Sequence, residues 1–178
     1  MRQTRQPVKG EEINFVRPQS HHDSPYRFFT VPGASVQLRL ASSSQGRPEL
    51  QVFGNRAGLL SLANVLLWFL ANASRREFLS LGDLPFVHEE GSLSVCIRMT
   101  TEDRKGEHGA LCRKDKRQQL EWAISEDDLQ EVALLMHRLT SVAEHEYDRL
   151  KMSVDSEAEI HLRMTDAAEW ISDGARVE

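Results

Sequence analysis

The sequence LLSLANVLLWFLANA, residues 59–73, forms the apolar centre of the chain. On a helix, six of its side chains share one face: Leu59, Leu62, Ala63, Leu66, Phe69 and Leu70. Further apolar residues widen this face almost to the full circumference, and such a helix must be buried on several sides. The stretch is shorter than the about 20 apolar residues that a bilayer requires. We therefore expect a core helix, with Asn55 as its N-cap.

Short segments with strand-like patterns lie on both sides of this helix. They cover residues 26–31, 35–41, 49–53, 92–100, 119–124 and 159–164. Most of them alternate apolar and polar residues, which is typical of half-buried antiparallel strands. Turn residues such as Pro32-Gly33 separate neighbouring segments.

A second helix is predicted after the segment 119–124. Ser125 can cap it, and three carboxylates follow at the positive end of the helix dipole. Its apolar stripe would consist of Leu129, Val132, Leu135, Met136, Leu139 and Val142. Together these elements predict an α+β fold: an antiparallel sheet of five or six strands with two main helices packed on one face.

Three regions are expected along the chain. Residues 1–25 are polar and rich in proline, which predicts a flexible N-terminal arm. Residues 26–140 would form the α+β domain, and residues 141–178 an acidic C-terminal extension with a short strand and a short helix. The tetrapeptides Ile97-Arg98-Met99-Thr100 and Leu162-Arg163-Met164-Thr165 look alike, but four residues are too few to indicate a repeat.

The charge of this 178-residue chain is distributed unevenly. The formal net charge is −5, made up of +5 in residues 1–120 (17 basic, 12 acidic) and −10 in residues 121–178 (5 basic, 15 acidic). An acidic C-terminal third disfavours nucleic acid as a partner because it repels phosphates. It favours a basic protein surface, although charge runs are more often simply solvated.

Cysteine content and the N-terminal sequence bear on the cellular compartment. Cys96 and Cys112 are the two cysteines, and they have no metal-site spacing; a single disulfide between them is compatible with the sequence but nothing favours it. The first residues lack the apolar region of a secretory signal. Both features favour the cytoplasm, and we expect no membrane association and no cofactor.

Two motifs carry residue types that are used in binding sites. Gly54-Asn55-Arg56-Ala57-Gly58 follows a strand and opens a helix, which can favour an anion. The phosphate-loop pattern is absent, and the glycines are explained equally well by close packing. His88, Glu89 and Glu90 are potential metal ligands, but adjacent loop residues rarely converge on one ion without a second segment.

The segment 52–100 resembles a family of small immunity proteins from bacterial polymorphic-toxin systems. The resemblance is carried by the strand ending in Gly54-Asn55, by the helical pattern of Gly58-Leu59, Leu62-Ala63 and Leu66, by His88, and by the strand Leu93 to Met99. It implies a small α+β protein that binds and silences a cognate toxin without catalysis. The chain departs from the family in its polar N-terminal arm and its C-terminal extension.

We therefore expect a non-catalytic protein-binding module, of the immunity type, that occludes a basic toxin or another protein partner. The expected partner-binding residues are Asp127, Asp128, Glu131, Glu144, Glu146 and Asp148. One alternative is a small metal-dependent enzyme or metal-binding domain that uses His88, Glu89 and Glu90. The other is a structural subunit of an oligomer.

Overall fold

A computed structural model describes residues 29–42, 46–75, 78–101, 108–113, 119–141, 149–155 and 158–165, and every structural statement below concerns these residues. The strands are β1 (Val36–Ser42), β2 (Pro48–Gly54), β3 (Phe78–Ser80), β4 (Val87–Glu89), β5 (Ser94–Met99), β6 (Ala110–Arg113), β7 (Gln119–Ile124), β8 (Arg149–Asp155) and β9 (Ala158–Met164). The helices are α1 (Arg56–Ala71) and α2 (Glu126–Ser141).

The strands form two sheets. Sheet A has five strands in the order β4-β1-β2-β9-β8, and sheet B has four in the order β3-β5-β7-β6. Both sheets are mixed, because β4 pairs parallel to β1, β9 parallel to β2, and β5 parallel to β7. The α+β class with two main helices is confirmed, but the prediction of a single antiparallel sheet of five or six strands is wrong. Alternation marks a half-buried strand and does not specify its partner.

The two sheets have related topologies. In sheet A the hairpin β1-β2 is followed by α1 along the chain, and in sheet B the hairpin β6-β7 is followed by α2. Beside β2 lies the parallel strand β9 with its antiparallel neighbour β8, and beside β7 lies the parallel strand β5 with β3. The chain thus consists of two ββαββ halves, with β4 added to the first. Each hairpin pairs with the last strands of the opposite half.

Equivalent residues follow this relation. The buried residues Leu59, Leu62, Ala63, Leu66 and Phe69 of α1 and Leu129, Val132, Ala133, Met136 and Leu139 of α2 have the same spacing. The two similar tetrapeptides fall at equivalent places, at the ends of β5 and β9. The Thr100 N–H donates to the carbonyl of Ile124 at 2.9 Å, and the Thr165 N–H donates to that of Gly54 at 2.9 Å. The tetrapeptide likeness therefore marks a structural repeat.

The predicted regions map onto this fold as follows. The N-terminal arm, the C-terminal helix 166–172 and most of the predicted strand 26–31 lie outside the described residues. The described part of that last segment, residues 29–31, is not a strand. The predicted boundary after residue 140 falls just before the last residue of α2, Ser141, and the strands β8 and β9 that follow complete sheet A.

One hydrophobic core joins the two sheets and the two helices. The helices pack against each other. Phe69 of α1 is fully buried in this core. The core contains buried side chains from both sheets, including Leu38, Val52, Ile97, Trp122 and Ile160. Neither described helix is long and apolar enough to cross a membrane.

Replacement of Phe69 by alanine tests the core at its centre. Because the ring is 0% exposed, Phe69→Ala should lower the free energy of unfolding by about 3–5 kcal/mol, as measured by urea denaturation. Phe78→Ala is the matched control, since Phe78 on β3 is 60% exposed. An equal loss in both variants would contradict this assignment of the core.

Removal of β9 tests the exchange of strands between the halves. A chain ending at Asp155 leaves the inner edge of β2 unpaired and removes the buried residues Ile160 and Leu162. We expect it to lose the cooperative thermal transition seen by near-UV circular dichroism. A chain ending at Thr165 keeps every described core residue and should retain that transition. Cooperative unfolding of the shorter chain would show that the exchanged strands are dispensable.

Candidate functional site

Protein groups occupy the N-terminus of α1, where an anion site was one interpretation of the glycine motif. The Asn55 side-chain oxygen accepts hydrogen bonds from Gly58 N–H at 2.7 Å and Ser35 N–H at 3.1 Å. Its amide donates to the carbonyl of Gly33 at 2.7 Å. A Cβ atom at Gly58 would clash with the carbonyl oxygen of Ser35. The cap prediction is confirmed, and the second glycine serves close packing.

The three residues of the alternative metal site have separate surroundings. His88 is exposed on β4. The Glu90 carboxylate forms an ion pair with Arg39, with 2.7 Å between Oε2 and Nε. The Glu89 carboxylate accepts a hydrogen bond from the Val95 N–H at 2.7 Å. Alternation along β4 directs His88 and Glu89 to opposite faces, so the described structure does not bring these residues together around one ion.

Glu89 occupies an unusual position for a carboxylate. A Cβ atom at Gly82 would lie 2.5 Å from Glu89 Oε2, so the glycine leaves room for the carboxylate. Burial raises the pKa of Glu89 above the ordinary value of 4.5, the Val95 hydrogen bond lowers it, and the nearby charge of Asp83 raises it further. The carboxylate holds the start of β5 near β4, which is a structural role.

The predicted partner-binding residues of α2 divide into two groups. Asp128 belongs to the helix cap, because Ser125 Oγ donates to its Oδ2 at 2.6 Å and accepts from its N–H at 3.2 Å. Asp127 and Glu131 are exposed, one turn apart. Leu134, a further turn along, is 44% exposed. Asp127, Glu131 and Leu134 form what we call the α2 surface.

The remaining predicted residues, Glu144, Glu146 and Asp148, lie outside the described residues. Their contribution to the α2 surface stays a prediction. Among the described residues near that surface, His108 is the nearest ion-pair partner, with 3.9 Å between its Nε2 and Glu131 Oε2. At this distance the contact is long for a hydrogen bond.

A cluster of potential metal ligands lies on sheet A, on the face opposite the core. It comprises Glu49 of β2 and Glu159 and His161 of β9. His161 Nδ1 lies 3.5 Å from Glu49 Oε1, and His161 Nε2 lies 3.2 Å from Glu159 Oε2. The Gln51 amide donates to Glu49 Oε1 at 2.6 Å. Sequence reasoning missed this cluster, and the polar positions of two alternating segments were the signal that could have suggested it.

The two cysteines lie on the outer face of sheet B. Cys96 of β5 and Cys112 of β6 are both register partners of Glu121 on the intervening strand β7. Two strand spacings separate their Cα atoms, roughly 10 Å, which exceeds the span of a disulfide. Neither cysteine forms a disulfide in the described structure. This face carries the Arg98–Glu121 ion pair, with 2.8 Å between Nε and Oε1.

The pKa of Glu89 predicts a specific dependence of stability on pH. Because the pKa of Glu89 is higher in the folded state, the folded chain binds more protons than the unfolded chain at pH values between 4.5 and the folded-state pKa, so stability falls as pH rises through this range. Glu89→Gln keeps the acceptor for Val95 without the charge. It should exceed the wild type in unfolding free energy at about pH 7 and match it at about pH 4, in urea titrations.

Glu90→Gln serves as the control for this measurement, since it removes a carboxylate that is paired at the surface with Arg39. Such exposed pairs contribute little to stability. If Glu89→Gln lost stability at neutral pH relative to the wild type, the charged carboxylate would be the stabilising form, contrary to this account.

Comparison of the chain with protein-family models, with curated proteins and with solved structures finds no match in any of the three. The functional argument therefore depends on the residues, contacts and charges described above.

Proposed function

We propose that this chain is a non-catalytic protein-binding module that docks its α2 surface on a basic protein and occludes it, as immunity proteins do with toxins. The single observation that carries the proposal is the exposed combination of Glu131 and Leu134. Helix capping explains the carboxylates of the first turn. It does not explain a carboxylate and a large apolar side chain exposed farther along the helix.

Energetic considerations support a role for the α2 surface outside the fold. Asp127 and Glu131 are like charges at positions i and i+4, an arrangement that costs a helix about 0.2–0.5 kcal/mol. Residues 121–178 carry a net charge of −10, from 5 basic and 15 acidic residues, so α2 belongs to the acidic part of the chain. A basic partner would be attracted over several ångströms and then contact the apolar side chain.

An alternative role as a subunit of an oligomer is supported by Phe78, which is 60% exposed on the three-residue edge strand β3. A stable interface buries about 800 Å² on each partner. One exposed aromatic side chain on so short an edge supplies a small part of such an area. The charged α2 surface is therefore the better-supported binding site.

Neutralisation of the α2 surface tests the proposal. Asp127→Asn with Glu131→Gln should reduce the association rate with the partner by roughly 2–10-fold at low salt, and flatten its salt dependence, because electrostatic attraction accelerates encounter. The partner would be isolated by affinity capture with the wild-type chain and identified by mass spectrometry. Rates would then be measured with the purified partner by stopped-flow fluorescence, together with inhibition of the partner's own activity.

Asp83→Asn with Glu90→Gln is the matched control, because it removes two exposed carboxylates far along the chain from α2. This control should associate at the wild-type rate. If both double variants slowed association equally, the effect would be due to the net charge of the chain, and the proposal that the partner docks on the α2 surface would be refuted. A partner that binds both variants with unchanged rate and salt dependence would exclude the α2 surface as its docking site.

A further inference from the structure

We propose that Glu49, Glu159 and His161 form a binding site for a divalent transition-metal ion, of which Zn²⁺ is the best fit, between β2 and β9. The site is distinct from the α2 surface and does not depend on the protein-binding proposal. Its ligands are also different from His88, Glu89 and Glu90, the metal site that the sequence suggested as an alternative. Each residue offers one ligand atom, and these atoms all lie within 4.8 Å of one another.

The strand register brings the two carboxylates together. Glu49 and Glu159 are paired neighbours on the parallel strands β2 and β9. Neighbouring strands are about 4.8 Å apart, and like charges at paired positions destabilise a sheet. Glu49 is only 8% exposed, so solvent does little to screen this repulsion. A positive group between the two side chains would offset this repulsion.

The imidazole of His161 also bears on this repulsion. Its two ring nitrogens face different carboxylates, at 3.5 Å from Glu49 and 3.2 Å from Glu159. A neutral imidazole has one N–H donor and one lone pair, so in that form one nitrogen directs its lone pair at a carboxylate oxygen, whereas the protonated ring donates from both nitrogens. A metal ion bound to one nitrogen takes the place of the second proton and supplies the positive charge. The other nitrogen can still donate its N–H to a carboxylate oxygen, as is common for metal-bound histidines.

The distances and ligand types select the ion. Donors at about 2.0–2.2 Å from a tetrahedral ion lie roughly 3.3–3.6 Å apart, and the 3.5 Å between His161 Nδ1 and Glu49 Oε1 matches this spacing. Glu159 approaches the other ring nitrogen, so its carboxylate would have to move slightly to join Glu49 and His161 Nδ1 around one ion. One imidazole with two carboxylates suits zinc and similar metals, whereas Mg²⁺ prefers oxygen ligands and retains its waters. Three protein ligands leave a fourth position for water.

Neighbouring polar groups fit the same assignment. Gln51 donates to Glu49 at 2.6 Å and orients this carboxylate. The cationic Arg163 lies two residues beyond His161, and its Nε is buried without a hydrogen-bond partner among the described residues. This positive charge weakens purely electrostatic binding, so the site should favour ions that bond to the imidazole nitrogen.

The test uses the full chain after treatment with a chelator. Calorimetric titration with Zn²⁺ should show one ion bound at this site, and Zn²⁺ should raise the thermal midpoint because it binds the folded chain only. Mg²⁺ at the same concentration should show no binding at this site and should not raise the thermal midpoint. Glu49→Gln and His161→Gln should each lower Zn²⁺ affinity by at least about tenfold and abolish most of the thermal shift. Co²⁺ should give a visible absorption spectrum that His161→Gln changes.

His88→Gln is the matched control, because His88 is exposed on β4 and outside the cluster; it should retain wild-type affinity and thermal shift. Glu159→Gln is the second variant if Glu49→Gln fails to fold, since Glu159 is less buried. The proposal is refuted if the wild type binds no Zn²⁺ at about 100 μM, far above the range expected for such a site. It is equally refuted if binding and the thermal shift survive both cluster variants.

Discussion

The pairing of strands from opposite halves of the chain is the constraint on which the rest of the structure depends. β2 pairs with β9 from the end of the described chain, and β7 pairs with β5 from the first half. Without these pairs, each hairpin would present an unpaired inner edge, which is a liability for aggregation. The helices provide a second contact between the halves, because their equivalent apolar faces are buried in a common hydrophobic core. Neither half has a complete sheet of its own.

The sequence predicts both helices and the strands β1, β2, β5, β7 and β9, because their signals lie within a few residues, but it misses β3, β4, β6 and β8. Asn55 and Ser125 cap the helices as expected, and the alternating segments 35–41 and 159–164 correspond to β1 and β9. Partner choice between strands was not predictable in this way, since a half-buried strand alternates similarly whether its neighbour is parallel or antiparallel. The metal-ligand cluster depends on that choice. Glu49 and Glu159 become neighbours only through the β2–β9 register.

The two binding proposals concern polar groups that differ in burial and in whether other residues of the fold already hold them in place. Asp128 takes part in the N-terminal cap of α2, whereas Glu131 and Leu134 of the same helix are exposed to solvent. On sheet A, by contrast, Glu49 is buried and already oriented by Gln51. An exposed surface suits reversible docking, where attraction sets the rate of encounter. A partly buried cluster that joins two strands suits a ligand that remains bound and reinforces the fold.

Exchange of strands between the halves also determines when the fold can be completed during synthesis. Roughly 100 residues separate the end of β2 from the start of β9, and translation proceeds at about 5–20 residues per second. For roughly 5–20 s, the nascent chain therefore carries the complete β1-β2 hairpin and the apolar helix α1 outside the ribosome without their final neighbours. During that interval the edge of β2 that later pairs with β9 is unpaired, and an unpaired strand edge is the feature through which nascent chains associate.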